Sequence, residues 1–138
     1  MRILGIDYGD ARVGIEITDM LGITAQGLET VHFQGNDKML LKRLDEIIAE
    51  YDVGTIVLGL PLNLKGEETV RATITREFFH KLKCKYPKLT IELVDERLTS
   101  VQAHKTMNDL EIKNTKKKEI VDTLAAVYIL ESYMNRKK

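Results

Sequence analysis

The sequence predicts an α/β chain built on a mixed five-stranded sheet, with strands 1–3 antiparallel, strands 4 and 5 parallel, and helices on both faces. Three observations lead there. The first 33 residues hold three strand-like segments with no helical period among them. Two later apolar segments, at Thr55–Leu58 and Thr90–Val94, read as strands too. Stretches with apolar residues at helical spacing come before, between and after those two, as β-α crossovers require.

The elements follow in order. Arg2 to Ile6 is a short apolar run, too close to Gly9 for a helix, and reads as a buried strand. Val13, Ile15 and Ile17 alternate with Gly14 and Glu16, which predicts a half-buried antiparallel strand. Gly22 marks a turn, and Thr24 to Phe33 is the third strand. Gly35-Asn36-Asp37 is a break and a helix cap. Leu40, Leu41, Leu44, Ile47, Ile48 and Tyr51 then recur at helical spacing, and Asp52 to Gly54 stops that helix. Thr55-Ile56-Val57-Leu58 has the continuous apolar character of a central parallel strand.

A second helix is expected from about Glu67 to Lys85, with Val70, Ile74, Phe78 and Leu82 on one buried stripe and Pro87 after it. His80 and Cys84 fall on its lysine-rich side as surface residues. Thr90 to Val94 is the fifth strand. A third helix follows through about Leu110, capped by Thr99 or Ser100, and the last runs from about Lys117 to Tyr133. Right-handed crossovers place strands 4 and 5 beside strand 1, so strand 1 is central.

A length of 138 residues suits a single domain, 1–138, with a real core. With 43 % hydrophobic and 30 % charged residues the chain is of the soluble globular class, and no apolar run spans a membrane. The first residues do not read as a secretion signal, and one cysteine fits a reducing cytoplasm while excluding a cysteine-rich zinc site. The zero formal net charge argues against coating nucleic acid by bulk attraction. A local basic surface stands apart from that, in Lys113, Lys116, Lys117 and Lys118.

The chemistry lies at strand ends. Asp7 falls where strand 1 leaves the core, between Gly5 and Gly9. A carboxylate there is costly unless something positive meets it. Asp95-Glu96 ends strand 5, with Arg97 beside it. Asp122 lies in the first turns of the last helix, which can lay it across the same sheet edge. Strand 4 runs into Gly59-Leu60-Pro61-Leu62-Asn63-Leu64-Lys65-Gly66, a loop type that binds ligands at the carboxyl edge of open α/β sheets. Converging carboxylates repel one another unless a hard divalent ion joins them, and oxygen donors of this kind take Mg2+ or Mn2+. Paired ions of that sort hydrolyse phosphodiesters. Asn63, Lys65, Arg97 and Lys116 are the candidates for holding substrate phosphates. With 6 % aromatic residues and no tryptophan, shape is expected to guide nucleic-acid choice more than base stacking.

Four segments, in order, carry a resemblance: Gly5-Ile6-Asp7-Tyr8-Gly9, Gly59-Leu60-Pro61-Leu62-Asn63, Asp95-Glu96-Arg97-Leu98-Thr99 and Val121-Asp122-Thr123-Leu124-Ala125-Ala126. Over nearly its whole length the chain resembles the YqgF-type pre-16S rRNA nucleases, relatives of the bacterial Holliday-junction resolvases with an RNase H-like fold. The resemblance implies an Asp-Glu-Asp metal centre at Asp7, Glu96 and Asp122, with Asp95 as an extra ligand or orienting group. It also implies a role in maturing the 5′ end of 16S rRNA, with precursor 16S rRNA or a pre-ribosomal particle as partner. Asn63 stands where the resolvases proper carry an acid, which weighs against junction cleavage.

Other readings remain at this level. They are a Holliday-junction resolvase acting on branched DNA, a non-catalytic RNA-binding ribosome-assembly factor, and a sugar-kinase or actin-like nucleotide lobe. The last needs a second lobe that 138 residues do not provide. No residue marks a dimer face, so monomer and homodimer are both open.

Overall fold

The computed structural model describes residues 1–9, 11–20, 24–32, 37–61, 65, 67, 69–95, 129–131 and 133–134, Asp95 by its backbone alone. The elements are β1 (Arg2–Tyr8), β2 (Arg12–Thr18), β3 (Ala25–His32), α1 (Asp37–Tyr51), β4 (Val53–Leu60), α2 (Val70–Lys85) and β5 (Thr90–Asp95). They form a five-stranded sheet in the order β3-β2-β1-β4-β5. β1, β2 and β3 pair antiparallel, whereas β4 is parallel to β1 and β5 to β4. β1 is the middle strand, as expected from the crossovers.

Strand alternation divides the core. Leu4, Ile6, Val13, Ile15, Ile17, Ile56, Leu58 and Ile91 share one sheet face with Leu40, Leu44 and Ile47 of α1 and Phe78 and Leu82 of α2. On the other face, Val57 and Val94 pack with Ile129, Leu130, Tyr133 and Met134, which are helical. Helices therefore cover both faces, and the fold is RNase H-like.

The helix ends are set locally. Asp52 closes α1 in the left-handed region, at φ 52°, a conformation that a short polar side chain tolerates. Its carbonyl accepts the Arg2 N–H at 3.1 Å, tying the end of α1 to the start of β1. The Thr69 hydroxyl accepts the Ala72 N–H at 3.4 Å, so α2 begins at Val70 instead of near Glu67. Its buried stripe is also rotated from the expected one. Val70 is 79 % exposed and Ile74 37 % exposed, while Ala72, Thr75, Phe78 and Leu82 are buried. The short side chains of Ala72 and Thr75 let the helix lie close to the sheet, and the Thr75 hydroxyl is satisfied by the Arg71 carbonyl at 2.9 Å.

β2 departs from its reading as well. Gly14, Glu16 and Thr18 are buried, although the alternation predicted a wet face. Thr18 accepts the Ile3 N–H through Oγ1 at 2.9 Å. Both Glu16 oxygens are buried with no hydrogen-bond partner among the described residues.

Candidate active site

The site is built from the end of β1. Period-two alternation puts Asp7 on the face of Gly5, opposite the core-facing Ile6 and Tyr8. That is the face of Val57 and Val94. Asp7 is half-buried, and Gly14 is its partner across β2. One step past the Ile6–Leu58 pair, β4 presents Gly59. The carboxylate therefore stands on a strip of sheet with no side chain directly beside it on either strand.

β1 turns back into β2 through Gly9, whose N–H donates to the Arg12 carbonyl at 3.0 Å. A Cβ at Gly9 would lie 2.5 Å from that oxygen, so a side chain there forces the turn apart. Gly9→Ala is expected to cost about 1–3 kcal/mol of stability, as overpacking does. Urea denaturation measures it, and an unmoved midpoint would count against this account of the turn.

On the opposite face, Tyr8 is held on every side. Its ring stacks on Phe78 with centroids 4.2 Å apart. The Arg71 guanidinium lies 5.4 Å from the ring centroid, and Arg71 Nη2 donates to the Tyr8 carbonyl. The phenol donates to Asp37 at 2.6 Å, and Lys81 meets the other Asp37 oxygen at 2.7 Å. Burial first, then the bond to Asp37, pushes the phenol's pKa well above its ordinary value. Tyr8 is thus a neutral anchor for the residue next to Asp7.

β4 and β5 end at the same edge, where Leu60 pairs with Asp95. β5 lies two strand spacings from β1, a lateral distance of roughly 10 Å between backbones. Lys65 is exposed beyond the end of β4. Asp7 and Asp95 are therefore at one end of the sheet. Asn63, Glu96, Arg97, Lys116 and Asp122 lie outside the described residues. Among the described residues no three acidic, histidine or cysteine side chains group as metal ligands. What the described part contributes to a divalent-ion site is a hard oxygen donor in a glycine-lined strip. That fits Mg2+ or Mn2+ in donor type.

Two residues of this region escaped the sequence reading. Arg71 sits in an ordinary-looking helix start, and its target is a main-chain carbonyl, which leaves no side-chain pattern to find. Glu16 faces Gly5 across β2, two residues along from the Asp7–Gly14 pair. Burial, with a smaller push from Glu131 on the covering helix, raises its pKa from 4.5 to about 8.

Comparison with known proteins was made against this geometry. A family model described as RuvX, Holliday junction resolvase, matches residues 1–136. The chain belongs to the RuvX family. A protein of Ruminiclostridium cellulolyticum named "Putative pre-16S rRNA nuclease" is 51 % identical to this RuvX-family chain over 99 % of it and 95 % of the relative. One of the same name from Acetivibrio thermocellus is 46 % identical, over 99 % of this chain and 97 % of that one. In the solved structure of the Fowlpox virus resolvase with its substrate Holliday junction DNA, the fold recurs with a TM-score of 0.62. That likeness covers 99 % of both chains at 14 % identity, which speaks for the fold alone.

Proposed function

We propose that this chain is a metal-dependent nuclease that hydrolyses phosphodiester bonds during 5′-end maturation of pre-16S rRNA in the cytoplasm, as a single domain over 1–138. The observation that carries this reading is the placement of Asp7. The central strand delivers a carboxylate to the edge where β4 and β5 also end, on a strip kept open by Gly14 and Gly59. Family membership and the names of the two relatives supply the substrate class.

In this reading Asp7, Glu96 and Asp122 hold Mg2+ or Mn2+, and Asp95 supports them. When bound, the divalent ions supply acidity for the attacking water and charge for the departing oxygen. Asp7 fixes where they sit, because its strand is paired on both sides up to Ile6. Lys65, Arg97, Lys116 and Asn63 position the phosphates of the strand, with Lys65 exposed beyond the end of β4. No described helix is long and apolar enough to cross a membrane.

A second reading, cleavage of branched DNA, is favoured by the family description. Incubating the purified protein with a precursor 16S rRNA 5′ segment and with a four-way DNA junction, each with Mg2+ or Mn2+, separates the two. Faster metal-dependent cutting of the RNA is expected. Preference for the junction would transfer the chain to the second reading, and cutting of neither would leave a non-catalytic RNA-binding role.

A further inference from the structure

Strand ladders leave a specific acceptor at the end of β1. In an antiparallel pair, hydrogen-bonded and non-bonded positions alternate. The Gly9–Arg12 bond therefore assigns Asp7 and Gly5 to β2, and turns the main-chain groups of Ile6 and Tyr8 toward β4. With Ile6 paired to Leu58, the parallel ladder would next satisfy the Tyr8 carbonyl with the N–H of residue 61. Residue 61 is proline and has no N–H. The β1–β4 pairing has already ended at Ile6–Leu58, one pair before that donor would be needed. Arg71 Nη2 donates to that same Tyr8 carbonyl.

We propose that Arg71 is a positioning residue for Asp7, its guanidinium gripping the main-chain carbonyl of the next residue, Tyr8, and so holding the end of β1 still. The inference rests on the metal reading of Asp7. Its physical content is that the β1 terminus is clamped from two helices. Arg71 grips the carbonyl following Asp7 and lies over the Tyr8 ring, Phe78 stacks beneath that ring, and Asp37 with Lys81 fixes the phenol. The carboxylate itself is on the other face, untouched by these contacts, so the clamp acts only through the backbone. β1 and β4 part after the Ile6–Leu58 pair, and Arg71 holds the β1 end from the helix.

The test uses Mn2+ alone as the probe, without nucleic acid. Outer partners of a metal ligand alter affinity or activity by about 10–100-fold. Arg71→Met is expected to weaken Mn2+ binding by about tenfold or more and to speed amide exchange of Gly9, with exchange at core residues such as Ile15 unchanged. Arg71→Lys, which keeps a donor, should restore part of both. Unchanged Mn2+ affinity and exchange in Arg71→Met would overturn the inference, as would failure of Arg71→Lys to restore either. Weaker RNA binding with unaltered Mn2+ affinity would make Arg71 a phosphate contact and also overturn it. No Mn2+ binding by the unaltered protein would reject the metal reading itself, a distinct result that removes the inference with it.

Discussion

Asp7→Asn is expected to reduce divalent-ion-dependent cleavage of a precursor 16S rRNA segment by well over a hundredfold while leaving the fold intact. The magnitude follows from rank. Removing a group that merely orients a metal ligand costs about 10–100-fold, so removing the charge of the proposed ligand on the central strand costs more. The fold should tolerate the change. Asn has the size of Asp, the position is half-buried, and its neighbours on β2 and β4 are glycines. Its backbone is held by the β2 ladder and by the turn at Gly9, neither of which involves the carboxylate. Initial cleavage rates at saturating Mn2+, with circular dichroism and the urea midpoint as controls, measure it. Cleavage that survives Asp7→Asn at its original rate, in protein free of contaminating nuclease, would remove Asp7 from the chemistry and favour an RNA-binding role.

Much of this arrangement is legible in the residues, for reasons that also explain what is not. β1 and β4 are short apolar runs that leave no room for another conformation, and the spacing of Leu40, Leu44 and Ile47 admits only a helix with one wet side. Asp7 stands out because an acid ending a buried strand needs compensation. The α2 stripe was less legible. Val70 and Ile74 advertise a buried face by hydropathy, yet the helix seats itself on Ala72 and Thr75, whose small size matters more than their polarity. Arg71 could not be found from spacing, since its partner is the main-chain carbonyl of Tyr8, which leaves no side-chain pattern. Glu16 was hidden by the rule that a polar residue in an alternating strand faces water. That rule fails when a helix from the far end of the chain covers the second face, as Ile129, Leu130, Tyr133 and Met134 do here.

That failure leads to the second large effect. Glu16→Met is expected to stabilise the protein at pH 9 by a few kcal/mol, with a much smaller gain at pH 4. Glu16 is fully buried and neither carboxyl oxygen has a hydrogen-bond partner among the described residues. Its register partners are Gly5 on β1 and Gly27 on β3, which offer no side chain to meet it. Burial dominates the rise of its pKa from 4.5 to about 8, and Glu131 adds like charge. The sign follows from proton uptake. Between these two values the folded protein keeps a proton that the unfolded chain has released, so stability present below pH 4.5 is lost as pH climbs toward 8. Each unit of that interval is worth about 1.4 kcal/mol, and above it the folded state carries a buried, unpaired charge. Methionine has a similar reach and no charge, so its stability should lack this slope. Urea unfolding of both proteins at pH 4, 6 and 9 gives the difference directly, and subtraction cancels the titration of groups that do not interact with Glu16. A constant difference across that range would mean that Glu16 is ionised or solvated in the folded state. If the slope is found, loss of nuclease activity in alkaline solution will include loss of folded protein, and the acid limb of an activity profile will report the metal-site carboxylates without interference from Glu16.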